Sequence, residues 1–363
     1  MNSPVSSYNE WDPLEEVIVG SALGFVESPY EFAIAPYVER GNSLRFFAGK
    51  RYDPKEIGRA QRQLDGLAAR LEREGVTVVR PENVDNAMEY RTPDFMSSMG
   101  HGQACPRDVL LIVGEQIIEA PMATRARYFE YRSYRKLIRN YFASGARWVT
   151  APRPLLGDDQ YVDDYSTEDG SYCAASHQPL TELDPCFDAA CFMRFGRDIF
   201  WQPDVVSNEV GVEWLRHHLG SDYRIHMIQF VDIAPEHIDT TLVPLRPGLV
   251  VTNPERACRD DSLALFEKND WRTIDGPPSV REGLPFAARD VSNWISLNIL
   301  SLDPNTVVAE AAEEPLHEFL KKLGIDVIPI EFDAVFQFGG SFHCCTADVR
   351  RNGTLKSYFP SLD

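Results

Sequence analysis

The sequence predicts an α/β fold built from five copies of one strand–helix–strand unit. Each copy has a short apolar strand, an amphipathic helix and a second apolar strand. Four of the five helices stop at a glycine turn signal, at Gly75, Gly145, Gly220 and Gly324. Such repetition suggests modules arranged around an axis, which avoids long exposed sheet edges. An ordinary α+β or doubly wound domain is the alternative that the pattern leaves open.

The elements follow from the apolar periodicity of each copy. The first strands are Val17–Gly20, Val109–Val113, Asp198–Trp201, Leu249–Val251 and Thr306–Val308. The helices lie near Lys55–Glu74 and around Tyr134–Tyr141, Val212–Leu219, Leu263–Phe266 and Leu316–Leu323. The closing strands are Val76–Val79, Trp148–Val149, Tyr223–Ile228, Trp271–Ile274 and Ile325–Ile330. The fourth helix has no glycine stop and is expected to end near Asn269–Asp270.

No linker divides the chain, so residues 9–363 are predicted to form a single domain and residues 1–8 a flexible N-terminus. Two stretches, Ser21–Asp53 and Pro152–Leu183, interrupt the repeated strand–helix–strand pattern. They are predicted to be long insertions or lids, where functional loops often lie.

Composition excludes several classes of protein. The net charge of −19 argues against nucleic-acid binding, which needs basic surface, and is compatible with a small cationic substrate or with solubility alone. Because the chain has neither a long apolar run nor a signal peptide, we expect a cytoplasmic protein. The seven cysteines include no CxxC pair, so neither a disulfide framework nor a metal site is expected.

The segment Gly339–Arg351 contains the strongest chemical signal. It presents Cys344 after two glycines and an aromatic residue, at the end of a strand-like stretch. Glycines allow a sharp bend and the close approach of a ligand, and a thiolate is a strong nucleophile. Cys344 is therefore a candidate nucleophile. The alternative is a small apolar residue buried in the last strand.

A reactive thiol needs a base or cation and an orienting partner. His237 and Asp239 alternate with an isoleucine and would face one side of a strand, and Asp188 is a carboxylate in an apolar stretch. Asp94 and Arg256 lie near turns, and Arg256 could clamp a substrate carboxylate. The alternatives are a loop histidine beside a solvated Asp239, a helix N-cap at Asp188, and ordinary turn residues.

Several motifs occur in an order that resembles the arginine amidinotransferase family. They are Asn9–Gly20, Cys105–Asp108, Ile118–Met122, Phe187–Ala190, His237–Asp239, Asn253–Pro254 and Gly340–Arg351. The resemblance covers about Asn9 to Phe359 and weakens only in the two insertions. It implies a five-module pseudo-symmetric α/β propeller, the pentein fold, and a homodimer. It also implies that no cofactor or metal is required.

The resemblance also assigns roles to residues. It makes Cys344 the nucleophile, His237 the general acid and base, and Asp188 the partner of His237. The remaining substrate-binding residues are Asp94 and Asp239 for the donor guanidinium, Arg256 for the carboxylate and Ser292 for the α-amino group. The implied reaction is a ping-pong transfer of the amidino group of arginine through Cys344 to an amine.

The acceptor amine stays open at this stage. Glu236, Thr240 and Val291 stand where glycine amidinotransferase has Met, Ala and Ser, and Cys191 replaces the family's usual Asp. The extra negative charge of Glu236 favours a longer cationic acceptor, lysine first, in secondary-metabolite or toxin biosynthesis. Glycine or another amine remains an alternative acceptor. Two other classes are an arginine deiminase-type hydrolase, in which water replaces the amine, and a non-catalytic acidic scaffold.

Overall fold

A computed structural model of the chain describes residues 3–29, 48–163, 165, 177–232, 236–259, 262–281 and 292–363. Within these ranges the strands are β1 (Leu14–Val19), β2 (Thr77–Val79), β3 (Tyr90–Arg91), β4 (Met96–Ser97), β5 (Leu110–Val113), β6 (Gln116–Glu119), β7 (Arg147–Thr150), β8 (Phe192–Phe195), β9 (Asp198–Trp201), β10 (Arg224–Met227), β11 (Leu242–Arg246), β12 (Leu249–Thr252), β13 (Arg272–Asp275), β14 (Leu300–Asp303), β15 (Thr306–Glu310), β16 (Asp326–Ile330) and β17 (Thr346–Arg351). The α-helices are α1 (Pro54–Arg73), α2 (Pro106–Val109), α3 (Arg135–Ala143), α4 (Glu209–Leu219), α5 (Ser262–Lys268) and α6 (Glu314–Lys322). None of these helices is long and apolar enough to cross a lipid bilayer.

Five three-stranded sheets in the described residues share one topology. In the second, β5 and β6 form an antiparallel hairpin, α3 follows, and β7 returns parallel to β6. The sheets β8–β10, β11–β13 and β14–β16 repeat this order with α4, α5 and α6. Because no described sheet extends over two modules, a doubly wound sheet is excluded. The predicted five-module α/β fold is confirmed.

The first module is completed by both ends of the chain. Strand β1 pairs in parallel with β2 and antiparallel with β17, with Val17 opposite Asp348. Four of the five predicted copies begin at the middle strand of their sheet, and the second begins at the outer strand β5. The outer strands β8, β11 and β14 were not predicted. Those strands are one side of short hairpins, and in the first module the equivalent strand comes from the far end of the sequence. The chain therefore closes on itself.

The local sequence explains where the helices begin and end. Asp53 caps α1 in a capping box with Glu56, and Ala60, Leu64, Leu67 and Leu71 form its buried face. The four glycines predicted to end helices all have positive φ, between 66° and 106°. The fourth helix ends at Lys268, and Asp270 takes the left-handed conformation with φ of 60°. The predicted helix ends are thus confirmed in position and conformation.

Residues 5–7, predicted to be flexible, are packed. Val5 and Ser7 have no exposed surface. The backbone N–H of Ser6 donates to Val349 at 3.0 Å, and that of Ser7 donates to Gly114 at 2.9 Å. These bonds extend the paired structure beyond the strands and satisfy backbone groups that burial would otherwise leave without partners. The predictions for the two insertions lie partly outside the described residues.

A buried network of ion pairs joins three modules next to the thiol-bearing turn. Arg194 in β8 contacts Glu10 at 2.7 Å and Asp348 in β17 at 2.9 Å. Arg107 in α2 contacts Asp348 at 2.6 Å. Charges this deeply buried are tolerated only when they are paired and hydrogen-bonded. The network therefore fixes β17, and with it the residues just before it.

Candidate active site

Cys344 lies in the turn between a 3-10 helix, Phe336–Phe338, and strand β17. The sequence placed it at the end of a strand-like stretch; the structure places it just before a strand instead. Gly340 is packed against it, and a Cβ added there would lie 2.5 Å from the Cβ of Cys344 and 3.3 Å from its sulfur. Only glycine allows this close approach. The Cys344 side chain is almost fully enclosed, with 3% of the residue exposed.

Two polar groups contact the sulfur. The thiol donates to Oδ2 of Asp239 at 3.1 Å, and Nδ2 of Asn298 donates to the sulfur at 3.1 Å. Asp239 comes from the turn before β11 and Asn298 from the segment before β14. Residues from three modules thus meet at one atom.

His237 lies close to the same sulfur. Its Nε2 is 3.3 Å from Oδ2 of Asp188, and its Nδ1 is 3.6 Å from Oδ1 of Asp108. Donor atoms of Asp108, His237 and Cys344 all lie within 4.8 Å of one another. His237 and Asp239 share this site without being on a strand, because His237 adopts φ of 65°, a left-handed value that is unusual for a residue with a Cβ. His237 and Asp239 therefore lie in the same site, but not because they alternate along a strand.

Arg127 fixes the carboxylates that flank His237. Its guanidinium donates to Oδ2 of Asp188 at 2.8 Å and to Oδ2 of Asp108 at 2.9 Å. A third N–H donates to Glu130 at 2.7 Å. The planar fork of an arginine holds such a set in a fixed geometry. Asp188 is the residue before a 3-10 turn, Ala189–Cys191, and its side chain makes no capping bond there, so the N-cap alternative is wrong.

Burial and charge determine the protonation states. Burial opposes a charged imidazole, but Asp108, Asp188 and Glu236 outweigh it and raise the pKa of His237 well above its usual value. Burial, followed by the charges of Asp239 and Asp108, raises the pKa of the Cys344 thiol. At neutral pH the site therefore presents an imidazolium beside a neutral thiol.

Asp239 is kept ionised by a second histidine. His343 lies 2.8 Å from Oδ2 of Asp239 through Nδ1, and 3.3 Å from Glu10 through Nε2. Burial alone would raise the pKa of Asp239, but the bond to His343 and its charge lower it to about 2. The carboxylate beside the sulfur thus carries a full negative charge, and it is connected through His343 to the buried ion-pair network.

A second polar cluster surrounds Arg256. The guanidinium donates to the hydroxyls of Thr240 at 2.9 Å and Thr241 at 2.7 Å, and to Oγ of Ser292 at 3.5 Å. It also pairs with Asp232 at 2.8 Å. Since Thr240 follows Asp239 in the chain, this cluster adjoins the site around the sulfur. Arg256, Ser292 and Thr240 are thus brought together in the structure.

Three further predicted residues have different positions. Glu236 is exposed, with a carboxylate oxygen within 4.8 Å of donor atoms of Asp188 and His237. Asp94 is exposed on the turn between β3 and β4, and its carboxylate has no hydrogen bond or ion pair with the described residues. The structure does not bring Asp94 into contact with the thiol. Val291 lies outside the described residues.

The donor set around His237 resembles a cation site in spacing. Asp108, His237 and Cys344 form one such group, and Asp188, Glu236 and His237 form another. The guanidinium of Arg127 binds Oδ2 of both aspartates and already places a positive charge between them, which disfavours a second cation there.

Sequence reasoning missed four residues of the site. Asp108 belongs to the Cys105–Asp108 motif but was given no role, and His343 directly precedes the predicted nucleophile. Asn298 is a single amide in an apolar run, which is a weak signal of a buried polar contact. Arg127 had no signal in the sequence, because nothing in its neighbourhood indicates the two carboxylates that it bridges.

The chain is similar in sequence and fold to known amidinotransferases. The chain is 45% identical over 363 residues to the mitochondrial glycine amidinotransferase of Gallus gallus, covering 98% of this chain and 85% of the relative. It is 44% identical over 359 residues to the L-arginine:L-lysine amidinotransferase of Pseudomonas savastanoi pv. phaseolicola, covering 98% and 97%. The solved structure of SxtG, an amidinotransferase of the saxitoxin pathway from Microseira wollei, superposes with a TM-score of 0.91 at 42% identity, covering 98% of this chain and 100% of SxtG. No protein-family model matches the chain.

The fold and the site together define a pentein-type α/β propeller in which a buried cysteine faces a histidine held between carboxylates. The sequence identity to these relatives and the share of the chain that they cover also assign the chain to a family. The chain belongs to the amidinotransferases, which are transferases.

Proposed function

We propose that this amidinotransferase moves the amidino group of L-arginine through a covalent amidino–Cys344 intermediate to an acceptor amine, with lysine preferred. The observation that carries the proposal is the convergence of Cys344 with His237 and Asp239, which come from the turn of another module, within a few ångströms. A nucleophile, an acid and a fixed anion for a cationic substrate are the parts that this transfer needs.

The donor is oriented by charge in this scheme. The guanidinium of arginine binds the ionised Asp239 and displaces the thiol from it, and the substrate's positive charge lowers the pKa of Cys344. Arg256 and Ser292, which lie next to each other, hold the carboxylate and α-amino group. Asp94 belongs to this proposal as a residue that reaches the guanidinium only when substrate is present.

The first half-reaction begins when the thiol releases its proton to solvent. The thiolate attacks the central guanidinium carbon, and the imidazolium of His237 donates its proton to the departing nitrogen. A carbon–sulfur bond forms, a carbon–nitrogen bond breaks, and neutral ornithine leaves. In the second half-reaction the neutral imidazole takes a proton from the attacking amine, and the sulfur departs as thiolate. The product is a new guanidinium, and the thiolate takes up a proton from solvent, so that the enzyme regains its starting charges.

The covalent step is tested by incubating the protein with arginine and no acceptor, followed by acid quenching and intact-mass measurement. We expect one added amidino group on Cys344, located by peptide mapping, and one equivalent of ornithine. Cys345→Ser should behave like the wild type, since the Cys345 sulfur contacts that of Cys105 at 4.0 Å, whereas Cys344→Ser should form no adduct. Release of citrulline and ammonia would favour the hydrolase, and the absence of any product would favour the scaffold.

The lysine preference is supported by Glu236, whose carboxylate lies at the exposed side of the site near His237 and Asp188. A second ammonium group on the acceptor gains from such a charge, whereas glycine has none to offer. The relative from Pseudomonas savastanoi pv. phaseolicola is named for lysine, and the relative from Gallus gallus for glycine. We also propose, on the same basis, a role in secondary-metabolite or toxin biosynthesis.

The acceptor is tested with arginine and a panel of glycine, lysine and ornithine, with the guanidino products identified by mass spectrometry. Homoarginine should dominate. Glu236→Gln should lower the ratio of lysine to glycine turnover by about tenfold, which is roughly 1.4 kcal/mol of discrimination. Glu255→Gln, an exposed change of the same kind outside the site, is the matched control. If glycine were preferred and Glu236→Gln left the ratio unchanged, the lysine proposal would be wrong.

A further inference from the structure

Asn298 forms a rigid support for the nucleophile. It has no exposed surface and lies between a 3-10 helix, Asn293–Leu297, and strand β14. Its Oδ1 accepts the backbone N–H of Ser341 at 3.2 Å and of Cys344 at 3.1 Å. Its backbone carbonyl accepts the N–H of His343 at 3.3 Å. One residue thus anchors most of the turn that carries the thiol.

These contacts determine which way the amide points. Two backbone N–H groups converge on one end of the Asn298 side chain, so that end must be the oxygen. A flipped amide would place its NH₂ group against two donors. The other end is therefore the nitrogen, and its N–H group points at the Cys344 sulfur at 3.1 Å.

We propose that Asn298 is a catalytic residue that stabilises the Cys344 thiolate by donating an N–H hydrogen bond to the sulfur. The inference rests on the proposed role of Cys344 as nucleophile. The described groups around the sulfur include two carboxylates, Asp239 and Asp108, which disfavour a negative charge there. An N–H donor compensates without adding a charge that would repel the cationic donor.

The same hydrogen bond serves both half-reactions. In the first, it stabilises the thiolate that attacks the guanidinium carbon. In the second, the carbon–sulfur bond breaks and its electron pair returns to sulfur, where the N–H group again faces the developing charge. Because Oδ1 is held by two backbone bonds, the donor needs no reorientation during the reaction.

The two functions of Asn298 can be separated by substitution. Asn298→Asp retains an oxygen that accepts the two backbone N–H bonds, but replaces the donor with a second acceptor of similar shape. Asn298→Ala removes both. Asn305→Asp places the same new charge on the exposed hairpin between β14 and β15, and serves as the control.

The measurement is the pH dependence of Cys344 alkylation by iodoacetamide, with the modified residue located by peptide mass. We expect the thiol pKa to rise by about one to two units in Asn298→Asp, and alkylation below that pKa to slow by about 10- to 100-fold. Asn305→Asp should match the wild type.

If Asn298→Asp kept the wild-type thiol pKa while Asn298→Ala lost activity, the residue would be a structural anchor only and the inference would be overturned. Should Asn298→Asp not fold, Asn298→Ala decides, since an unchanged thiol pKa in that variant also overturns it. Failure of the proposed function would look different: the wild-type enzyme itself would form no amidino adduct with arginine.

Discussion

The Asp108→Asn variant is the sharpest test of what keeps His237 protonated. Asp108 was not assigned a role from the sequence, yet its Oδ1 lies 3.6 Å from Nδ1 of His237 and its charge is the largest influence that raises the His237 pKa. The amide keeps the shape of the side chain and removes the charge. Its oxygen can still accept from Arg127, so the clamp on Asp188 survives.

The size of the expected pKa shift follows from the distance between Asp108 and His237. Two unit charges about 4 Å apart interact by about 4 kcal/mol at an effective dielectric constant of 20. Arg127 offsets part of this, since it pairs with the same carboxylate at 2.9 Å. An opposite charge at this range usually shifts a pKa by about one to three units, and one unit corresponds to about 1.4 kcal/mol. We therefore expect the pKa of His237 to fall by about one to three units in the variant.

The direction in which the pH profile of the Asp108→Asn variant shifts follows from the role of the His237 proton. In the proposed mechanism His237 must be protonated to donate to departing ornithine, so activity should fall as the pH rises through the pKa of His237. Lowering that pKa moves the alkaline limb of the profile to lower pH by the same interval. Activity well below the new pKa should be less affected, because the imidazolium is present there in both proteins.

The assay is single-turnover release of ornithine from arginine without acceptor, measured across the pH range. Asp275→Asn, an exposed loss of one charge at the end of β13, is the control and should leave the profile unchanged. An unshifted alkaline limb in Asp108→Asn, with the variant folded and active, would refute the assignment of Asp108 as the group that keeps His237 protonated.

Three further outcomes are expected. Gly340→Ala should lower kcat at least about 100-fold in a folded protein, because the new Cβ displaces the nucleophilic thiol; near-normal turnover would contradict the packing argument. His343→Gln should raise the pKa of Asp239, so that the KM for arginine rises and does so first at low pH; a kcat change alone would contradict this. Arg194→Met should destabilise the protein by about 3–5 kcal/mol in urea unfolding, because two buried carboxylates lose a partner, whereas the exposed Arg216→Met should cost under about 1 kcal/mol.

The repeat could be predicted from the sequence because each middle strand contains a short buried apolar run. Strand β12, for example, is buried at every position, and Phe266 of the helix that follows is also buried. The partner strands were less visible. Strand β11 contains a proline, and β17 is charged at three of six positions. Its Asp348 and Arg351 belong to the buried ion-pair network, and its Arg350 pairs with Glu15 and Glu16. Apolar periodicity cannot detect a strand whose buried residues are charged.

The candidate site was predictable where a residue type itself carries the chemistry. Cys344, His237 and Asp188 could be selected because thiol, imidazole and buried carboxylate are uncommon combinations with known reactivity. Arg127 and Asn298 could not, since their importance lies in what they touch. Asn298 acts through a contact with a sulfur 46 positions away in the chain, and only the closed ring of modules creates that contact.

In the proposed mechanism, the charges around Cys344 keep its thiol protonated until a substrate binds. In the free site the thiol donates to Asp239, and both this carboxylate and Asp108 hold its pKa high. In the proposed scheme, a bound guanidinium occupies Asp239 and brings a positive charge to the sulfur, so that ionisation of Cys344 becomes favourable only with the donor in place. A thiol that stays neutral is a poor target for oxidants and for unrelated electrophiles. The acidic surroundings thus select a cation and control reactivity through the same carboxylate, which explains why a nucleophile of this kind lies among acids.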